Sequence, residues 1–544
     1  VGLATDAGGG DRLDRTTILA LVAMGVAVLV VANDFTALSV ALPAIEKQFD
    51  TDVSTVQWVI NAYALTFGVL IVVGGRLADM FGRRRMFVVG AAVFAAFSVI
   101  GGAAQSTAWL ITCRALMGIG GALMWPSVLG MTYAVLPESK AGLAGGLIIG
   151  AAGVGNALGP LFGGLLTDAL SWRWIFFVNV PIAAFGVLVT LWAIRPDRPD
   201  LTDRDIDYAG VLTLAVGLVA VLVALDQVTD WGWGDPRIIV LIGGFVAMLV
   251  AFFVIERRKG EHALVPPDVF HSRAFSAACI TVLLMSAIFF AVLLYLPQFM
   301  QEILGYTPLM SGAGLLPLMG IFALTSFIAG PLYGRLGPKL IVSSGAAAIT
   351  IGMLLLSLIG ENAEYGSLVI GMLVLGIGIG LFYSSITTAA VTALDAARAS
   401  LAGGIVYMFQ IAGGSVGLGL NTTVFTSRSK DYVSAHVSAV GAQVTDTQSD
   451  LVLGILAGTR SANTVIKNFT PPVAHQLEAL VRDGFIAGLH AAFRMDAALA
   501  FAGLLVAVTL VGGVVPHERL RELRRWHHHS IHNAAIRRSP RKGG

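Results

Sequence analysis

Asp34 is a lone carboxylic acid in VANDFTALSVALP (31–43), inside an apolar stretch that runs from about Thr16 to Leu42. An ionised carboxylate in such surroundings is costly, so it must neutralise, pair or reach water. Arg114 stands in a second apolar stretch, ITCRALMGIGGALMWP (111–126). Asp34 lies eight residues from Leu42 and Arg114 five from Trp109. At 1.5 Å per helical residue these are depths of ~12 Å and ~7.5 Å from the same edge. Comparable depth allows the two to pair, and a pair whose access to water changes can take up and release a proton. A permanent structural ion pair is the other reading. A second group of charges, GRLADMFGRRR (75–85), joins two apolar runs. Gly75 and Gly82 permit a tight turn. Asp79 can meet the positive N-terminal end of a neighbouring helix or an arginine, with Arg83 and Arg84 beside it. This suits a latch that engages and releases; a basic loop that only sets topology is the alternative.

A third stretch carries shape rather than charge. In AAGVGNALGPLFGG (151–164), Ala151, Gly155, Gly159 and Gly163 recur every fourth residue, followed by Gly164. They make a smooth helix stripe, which Pro160 bends by removing a backbone donor. Such a face suits rocking of one helix on another, or plain tight packing. Asn33, Trp58, Asn61, Tyr63, Tyr295, Gln298, Tyr407 and Gln410 are candidates for lining a central cavity, with Asn156, Asn179 and Tyr383 beside them. Taken singly, each reads first as a helix–helix hydrogen bond and only then as a ligand contact. Asp226, Glu302 and Asp496 read as helix-end groups on solvated faces.

The elements that must position these groups are membrane helices. Of 544 residues, 56% are hydrophobic and 12% charged, against roughly 25% charged in soluble domains. Fourteen apolar runs reach the ~20 residues a bilayer core requires. They lie near 16–42, 55–76, 86–104, 109–134, 142–167, 173–194, 208–226, 237–256, 274–301, 309–332, 339–359, 367–393, 400–426 and 485–515. With the N-terminus inside, the inner loops collect Arg76, Arg83, Arg84, Arg85, Arg257, Arg258 and Lys259. The outer ones collect Glu46, Asp50, Asp52, Asp168, Asp230 and Asp235. This bias supports the orientation and the even count. GPLYGRLGPK (330–339) repeats the 75–85 loop, Gly330 matching Gly75 and Gly337 matching Gly82, while Gly334 replaces Asp79.

The expected organisation is a cytoplasmic N-terminus (1–15), a six-helix bundle (16–200), two inserted helices (201–260), a second six-helix bundle (261–515) and a basic cytoplasmic tail (516–544). The second bundle includes an extracytoplasmic loop at about 427–484, a possible cap or docking point for an envelope partner. The His527–His529 run and His532 read as part of a lipid-facing basic tail. Net charge of +2 gives no reason to expect nucleic acid, and Cys113 and Cys279, both in apolar runs, form no metal motif. No Ser/His/Asp, paired-acid or metal constellation lies in the spans, which argues against an enzyme. No repeated pore loop argues for a channel.

GRLADMFGRRR resembles the loop signature of the major facilitator superfamily. Gly155, Gly159, Pro160, Gly163 and Gly164 resemble its antiporter signature, and Arg114 with Gly118 its fourth-helix signature. DFTALSVALP (34–43) is similar to the first-helix signature of drug:proton antiporters, with Ala37 and Ser39 where relatives often carry Ile and Asn. Trp58 and Tyr63 in QWVINAYALTFG, and WRWIFFVNVP (172–181), resemble the fourteen-helix branch that includes QacA-like and EmrB-like exporters. The resemblance implies an all-α fold of two six-helix bundles plus two inserted helices in a bacterial inner membrane. It also implies alternating access and export of small lipophilic or cationic compounds against inward proton flow. The partners are then substrate, protons and membrane lipids; proton motive force replaces any cofactor, and no metal is expected. Asp34 becomes the coupling acid tuned by Arg114; Gly75, Asp79, Gly82, Arg83 and Arg84 form the inner gate. Export of a lipid or cell-envelope metabolite on the same fold is the alternative.

Overall fold

The computed structural model describes residues 13–51, 53–137, 140–196, 207–260, 263–360, 364–437 and 471–511, and the regular elements among them are all helical. The first bundle holds α1 (Arg15–Ala37), the short α2 (Leu42–Phe49), α3 (Val53–Phe81), α4 (Arg83–Gly102), α5 (Thr107–Val135), α6 (Ala141–Ala169) and α7 (Arg173–Ala193). A hairpin follows, α8 (Tyr208–Trp231) and α9 (Pro236–Lys259). The second bundle holds α10 (Arg273–Glu302), α11 (Pro308–Gly314), α12 (Leu316–Leu336), α13 (Pro338–Leu356), α14 (Tyr365–Val391), α15 (Ala399–His436) and α16 (Pro471–Leu510). Among the described residues fourteen spans are long and apolar enough to cross a membrane, α11 and α12 counting as one. Their loops leave a basic face, holding Arg83, Arg84 and Arg85, and an opposite acidic face.

Local sequence explains where the helices start. The Asp14 carboxylate accepts from the Thr17 amide, Ser106 Oγ from Trp109 and Ser272 Oγ from Phe275, satisfying first-turn donors that have no helical partner. The aligned loops of the repeat share one backbone feature: Gly82 has φ 104° and Gly337 φ 82°. Side chains avoid this region, so glycine is needed at both turns. The inserted hairpin leans on both bundles through α8, which packs on α3 and α15. α9 packs mainly on α8 and exposes Val240, Val246 and Val250, a lipid-facing surface.

The structure departs from the sequence reading at the loop expected over 427–484. α15 continues to His436 and α16 already begins at Pro471. At 38 residues, α15 spans ~57 Å at 1.5 Å per residue, well beyond a ~30 Å hydrocarbon core. Polar residues such as Ser427, Arg428, Ser429 and Lys430 hide an apolar face that continues at helical spacing. Phe425 packs its ring on Phe485 at 5.1 Å, and Val433, Leu477 and Val481 are buried. The two helices therefore leave the membrane as a packed arm. The tip of the expected loop (438–470), the N-terminus (1–12) and the tail with His527–His529 and His532 lie outside the described residues.

α6 is the packing hub. Its Gly155 stands where a Cβ would come within 2.6 Å of Leu29 O, and Gly159 and Gly163 face Thr36 and Ala37 just as closely. Thr36 Oγ1 donates to Asn156 O at 3.3 Å across the same contact. Gly159→Val should therefore wedge α6 from α1 and cost ~1–3 kcal/mol, whereas Gly243→Val, with nothing within 4 Å, should be neutral. Thermal unfolding of the detergent-solubilised protein, followed by size-exclusion, separates the two; equal midpoints would contradict the packing.

Candidate functional site

Asp34 and Arg114 meet. Both side chains are fully buried, and Arg114 Nη1 donates to Asp34 Oδ2. The contact depends on the close approach of α5 to α3. A Cβ on Gly118 would sit 2.7 Å from Tyr63 O and 3.1 Å from Phe67 N, so glycine lets the helices touch. One turn away, Arg114 Nε then donates to Val59 O at 2.8 Å, and the guanidinium lies over the Tyr63 ring at 4.3 Å. Asn179 of α7 supplies a partner absent from the sequence reading: its Nδ2 donates to Asp34 Oδ1 at 2.9 Å and to Ser98 Oγ at 3.2 Å. Ser98 Oγ donates in turn to Phe176 O at 2.7 Å. Five helices thus converge on one carboxylate. Removing either member of a buried ion pair strands the other at ~3–5 kcal/mol, while a proton on Asp34 removes its charge without removing an atom.

Aromatic rings lead from this cluster to the second bundle. Phe35 meets Tyr63 at 4.7 Å and Phe67 at 5.5 Å. Phe67 meets Tyr407 of α15 at 5.6 Å, and Tyr407 lies against Trp125 at 4.5 Å. Trp125 Nε1 and Tyr63 Oη are buried donors with no partner among the described residues. Tyr63, a candidate for lining a cavity, is instead fully buried under Arg114, and Tyr295 is buried within the second bundle. Trp58, Asn61, Gln298, Tyr407 and Gln410 are half-buried, as is Asn33, whose amide oxygen is buried and unpartnered among the described residues. Phe35, Phe67 and Trp125 went unnoticed in the sequence because aromatic residues in apolar helices look like ordinary core. Asp496 reverses its expectation: it is fully buried and hydrogen-bonded to Asn421 of α15, because α16 packs on α10, α13 and α15.

On the basic face, Asp79 caps the other bundle. Its Oδ2 accepts from Leu401 N at 2.8 Å and its Oδ1 from Ser400 N at 3.3 Å, at the first turn of α15. Arg83 Nε donates to Asp79 Oδ1 at 3.1 Å, and its Nη1 and Nη2 donate to Gly130 O and Ala396 O. A carboxylate at a helix N-terminus gains both hydrogen bonds and the helix dipole. Gly75 allows the approach, since a Cβ there would be 2.6 Å from Ser400 O. Arg84 reaches Ile194 O, at the end of α7 in its own bundle, at 2.7 Å. In the pseudo-equivalent contact Gly330 presses on α6, its Cβ position 2.7 Å from Gly142 O; Gly334 replaces the acid. One inter-bundle contact therefore carries a buried carboxylate, and at the matching position of the other a glycine packs on backbone.

The stripe Gly155, Gly159 and Gly163 faces α1 of its own bundle, and Gly164 faces Leu309 of α11. The face of α6 that meets the second bundle carries other glycines. Gly146 sits against Ser326 of α12, Gly150 against Phe327 and Gly153 against Phe322. Near the acidic face, Gly312 of α11 rests on Pro160, its Cβ position 3.0 Å away. α6 therefore touches the Asp34 helix on one side and the opposite bundle on the other.

Residues 24–418 match the Major Facilitator Superfamily. The chain is 35% identical over 432 residues to the puromycin resistance protein pur8 of Streptomyces alboniger, covering 78% of this chain and 85% of the relative. It is 30% identical over 504 residues to the tetracenomycin C resistance and export protein of Streptomyces glaucescens, covering 90% of each. It is 32% identical over 419 residues to the multidrug resistance protein Stp of Mycobacterium tuberculosis, covering 76% and 77%. The crystal structure of the human organic anion transporter MFSD10 (TETRAN) shares the fold with a TM-score of 0.59 at 12% identity, over 90% of this chain and 99% of that one. With two helical bundles, a carboxylate that bridges them and relatives that match over most of its length, the chain belongs to the Major Facilitator Superfamily of membrane transporters, in its fourteen-helix branch.

Proposed function

We propose that the protein is a proton-coupled exporter of lipophilic or cationic compounds, working by alternating access from the cytoplasmic membrane. The observation that carries this reading is the sealed Asp34 contact with Arg114 and Asn179 on a helix braced against α6. With the basic face in the cytoplasm, as the distribution of arginine directs, Asp34 lies in the outer half of the membrane and Asp79 at the inner surface. A proton arriving from outside neutralises Asp34 and leaves Arg114 with Val59 O and the Tyr63 ring. The pull between α1 and α5 then relaxes. Because α6 packs on α1 through one face and on α12 through another, a shift of α1 bears on the seam between the bundles. Release of the Asp79 cap opens the inner side, where the proton leaves and substrate enters. Names of the relatives, a puromycin resistance protein and a tetracenomycin C resistance and export protein, support outward movement of compounds to which such proteins give resistance. The chain of Phe35, Phe67, Trp125 and Tyr407 offers π faces suited to flat or cationic compounds.

Efflux of ethidium from cells tests the coupling. Asp34→Asn keeps the shape of the site and removes the titratable group, so uncoupler-sensitive efflux should fall at least ~10-fold with normal expression. Retained uncoupler-sensitive efflux would reject Asp34 as the coupling acid. Parent cells that never move the dye would shift the reading to a lipid or cell-envelope metabolite as cargo.

Accessibility on the basic face tests the latch. Ser400 is buried beneath Asp79, so Ser400→Cys, in a chain with Cys113 and Cys279 replaced, should react slowly with a membrane-impermeant maleimide in inside-out vesicles. Adding Asp79→Asn should accelerate labelling several-fold. An unchanged rate would reduce the 75–85 loop to a topology signal.

A further inference from the structure

The acid that couples in the reading above has a counterpart that no motif marks. Asp496 of α16 and Asn421 of α15 are both fully buried. Asn421 Nδ2 donates to Asp496 Oδ1 at 2.8 Å and to Gly417 O at 2.9 Å. Both amide hydrogens are spent, and the flipped amide would point its oxygen at two acceptors, so the orientation is settled by the network. Two oxygens are then left over: Asp496 Oδ2 and Asn421 Oδ1 are buried with no partner among the described residues. An ionised carboxylate only accepts and an amide oxygen only accepts, so the arrangement lacks a donor as well as a counter-charge.

The same acid–amide contact in the first bundle, Asp34 with Asn179, is completed by Arg114. Around Asp496 no cation takes that place among the described residues. α16 packs on α10, α13 and α15. From α10 the titratable group facing Asp496 is Tyr295, whose Oη donates to Thr422 Oγ1 at 3.2 Å; Arg273 and Glu302 lie at the two ends of that helix. α13 offers Lys339 alone, in its first turn at the basic end. α15 offers Tyr407, in the aromatic chain, and Arg428, Lys430, Asp431, Tyr432 and His436 further out along the arm. On α16 itself, Arg494 is exposed, Arg482 donates to Ile303 O and a His490 ring nitrogen contacts Ile359 O. A buried carboxylate with no charged partner costs several kcal/mol. A water would bring a donor and leave the charge. A metal cation would find two free oxygens where such ions take six or more. One proton on Oδ2 supplies the donor and cancels the charge together.

We propose that Asp496, held by Asn421, is a second proton-binding site, carrying a proton in this sealed conformation and lying in the bundle opposite Asp34. It sits six residues past His490, whose contact with Ile359 marks the acidic edge of α13. That places it ~9 Å from that edge at 1.5 Å per residue. The transporter then has one proton site in each bundle. Assigning the second to the coupling cycle rests on the exporter reading; its occupancy by a proton does not.

Infrared spectroscopy of the purified full-length protein at neutral pH tests the occupancy, using the carboxylic-acid C=O band. The expected result is a band that loses one carboxyl equivalent in Asp496→Asn and keeps it in Asp34→Asn. Asparagine can donate where the neutral acid donates, so Asp496→Asn should also unfold within a few degrees of the parent and Asp496→Ala well below it. A band unchanged by Asp496→Asn overturns the proposal. So does a thermal midpoint that rises with sodium over choline in the parent and not in Asp496→Asn, which would make the occupant a metal ion. Neither readout depends on transport, so an Asp34→Asn variant that still exports dye would sink the coupling assignment and leave this one standing.

Discussion

A carboxylate has no stable place in the middle of a bilayer unless the protein gives it a partner, and much of the first bundle is arranged around that requirement. Asp34 needs Arg114, and Arg114 reaches it only because Gly118 lets α5 lie against α3. α1 must also be held at a fixed distance, which the Gly155, Gly159 and Gly163 face of α6 provides. These contacts differ in kind and have one consequence: the charge state of a single side chain is tied to the position of α1. A helix packed through backbone contact on both sides cannot adjust gradually, because close-packed interfaces deform in steps rather than continuously.

The two-fold repeat is kept in backbone shape and broken in charge. Gly82 and Gly337 share the same left-handed turn, and Gly75 and Gly330 both let a helix of one bundle touch the other. Only the first copy adds Asp79 and its contacts to α15. The α6–α12 contact has Gly334 at the repeat position where the α3–α15 contact has its carboxylate. On the exporter reading, opening on the basic face would part α3 from α15 first, with α6 and α12 as the hinge. α8 packs on this α3–α15 pair, so the inserted hairpin rides on the seam that must move.

Spans and charged motifs were legible in the sequence because bilayer burial writes them in bold terms: long apolar runs, basic loops and rare intramembrane charges. Counting residues to a shared edge only allowed Asp34 and Arg114 to pair; they do meet, although α1 ends at Ala37 and not near Leu42 as the count assumed. Asn179 was visible only as one polar residue among many; nothing in WRWIFFVNVP says which helix α7 will face. Two helix ends were misplaced for a physical reason. Past the membrane, α15 and α16 bury one face against each other and expose the other to water, so hydropathy falls although the helix continues. Asp496, read as a solvated helix-end group, is instead residue 26 of the 40-residue α16 and is buried against Asn421 of α15. The glycines of α6 were read as one stripe, whereas the helix uses two, and only three-dimensional packing tells which neighbour each meets.

Each bundle places a carboxyl against an asparagine amide, yet among the described residues only the first supplies a guanidinium. The difference decides how the two acids respond to the same event. When water reaches Asp34, a proton competes with Arg114 for the carboxylate, so its occupancy depends on how far α1 and α5 separate. When water reaches Asp496, a proton competes with no fixed cation, and the charge is stabilised by solvent alone. Under the proposed two-site scheme, opening toward water favours loss of the proton in the second bundle and separation of the ion pair favours gain in the first, so the two acids exchange protons in opposite senses across one conformational change.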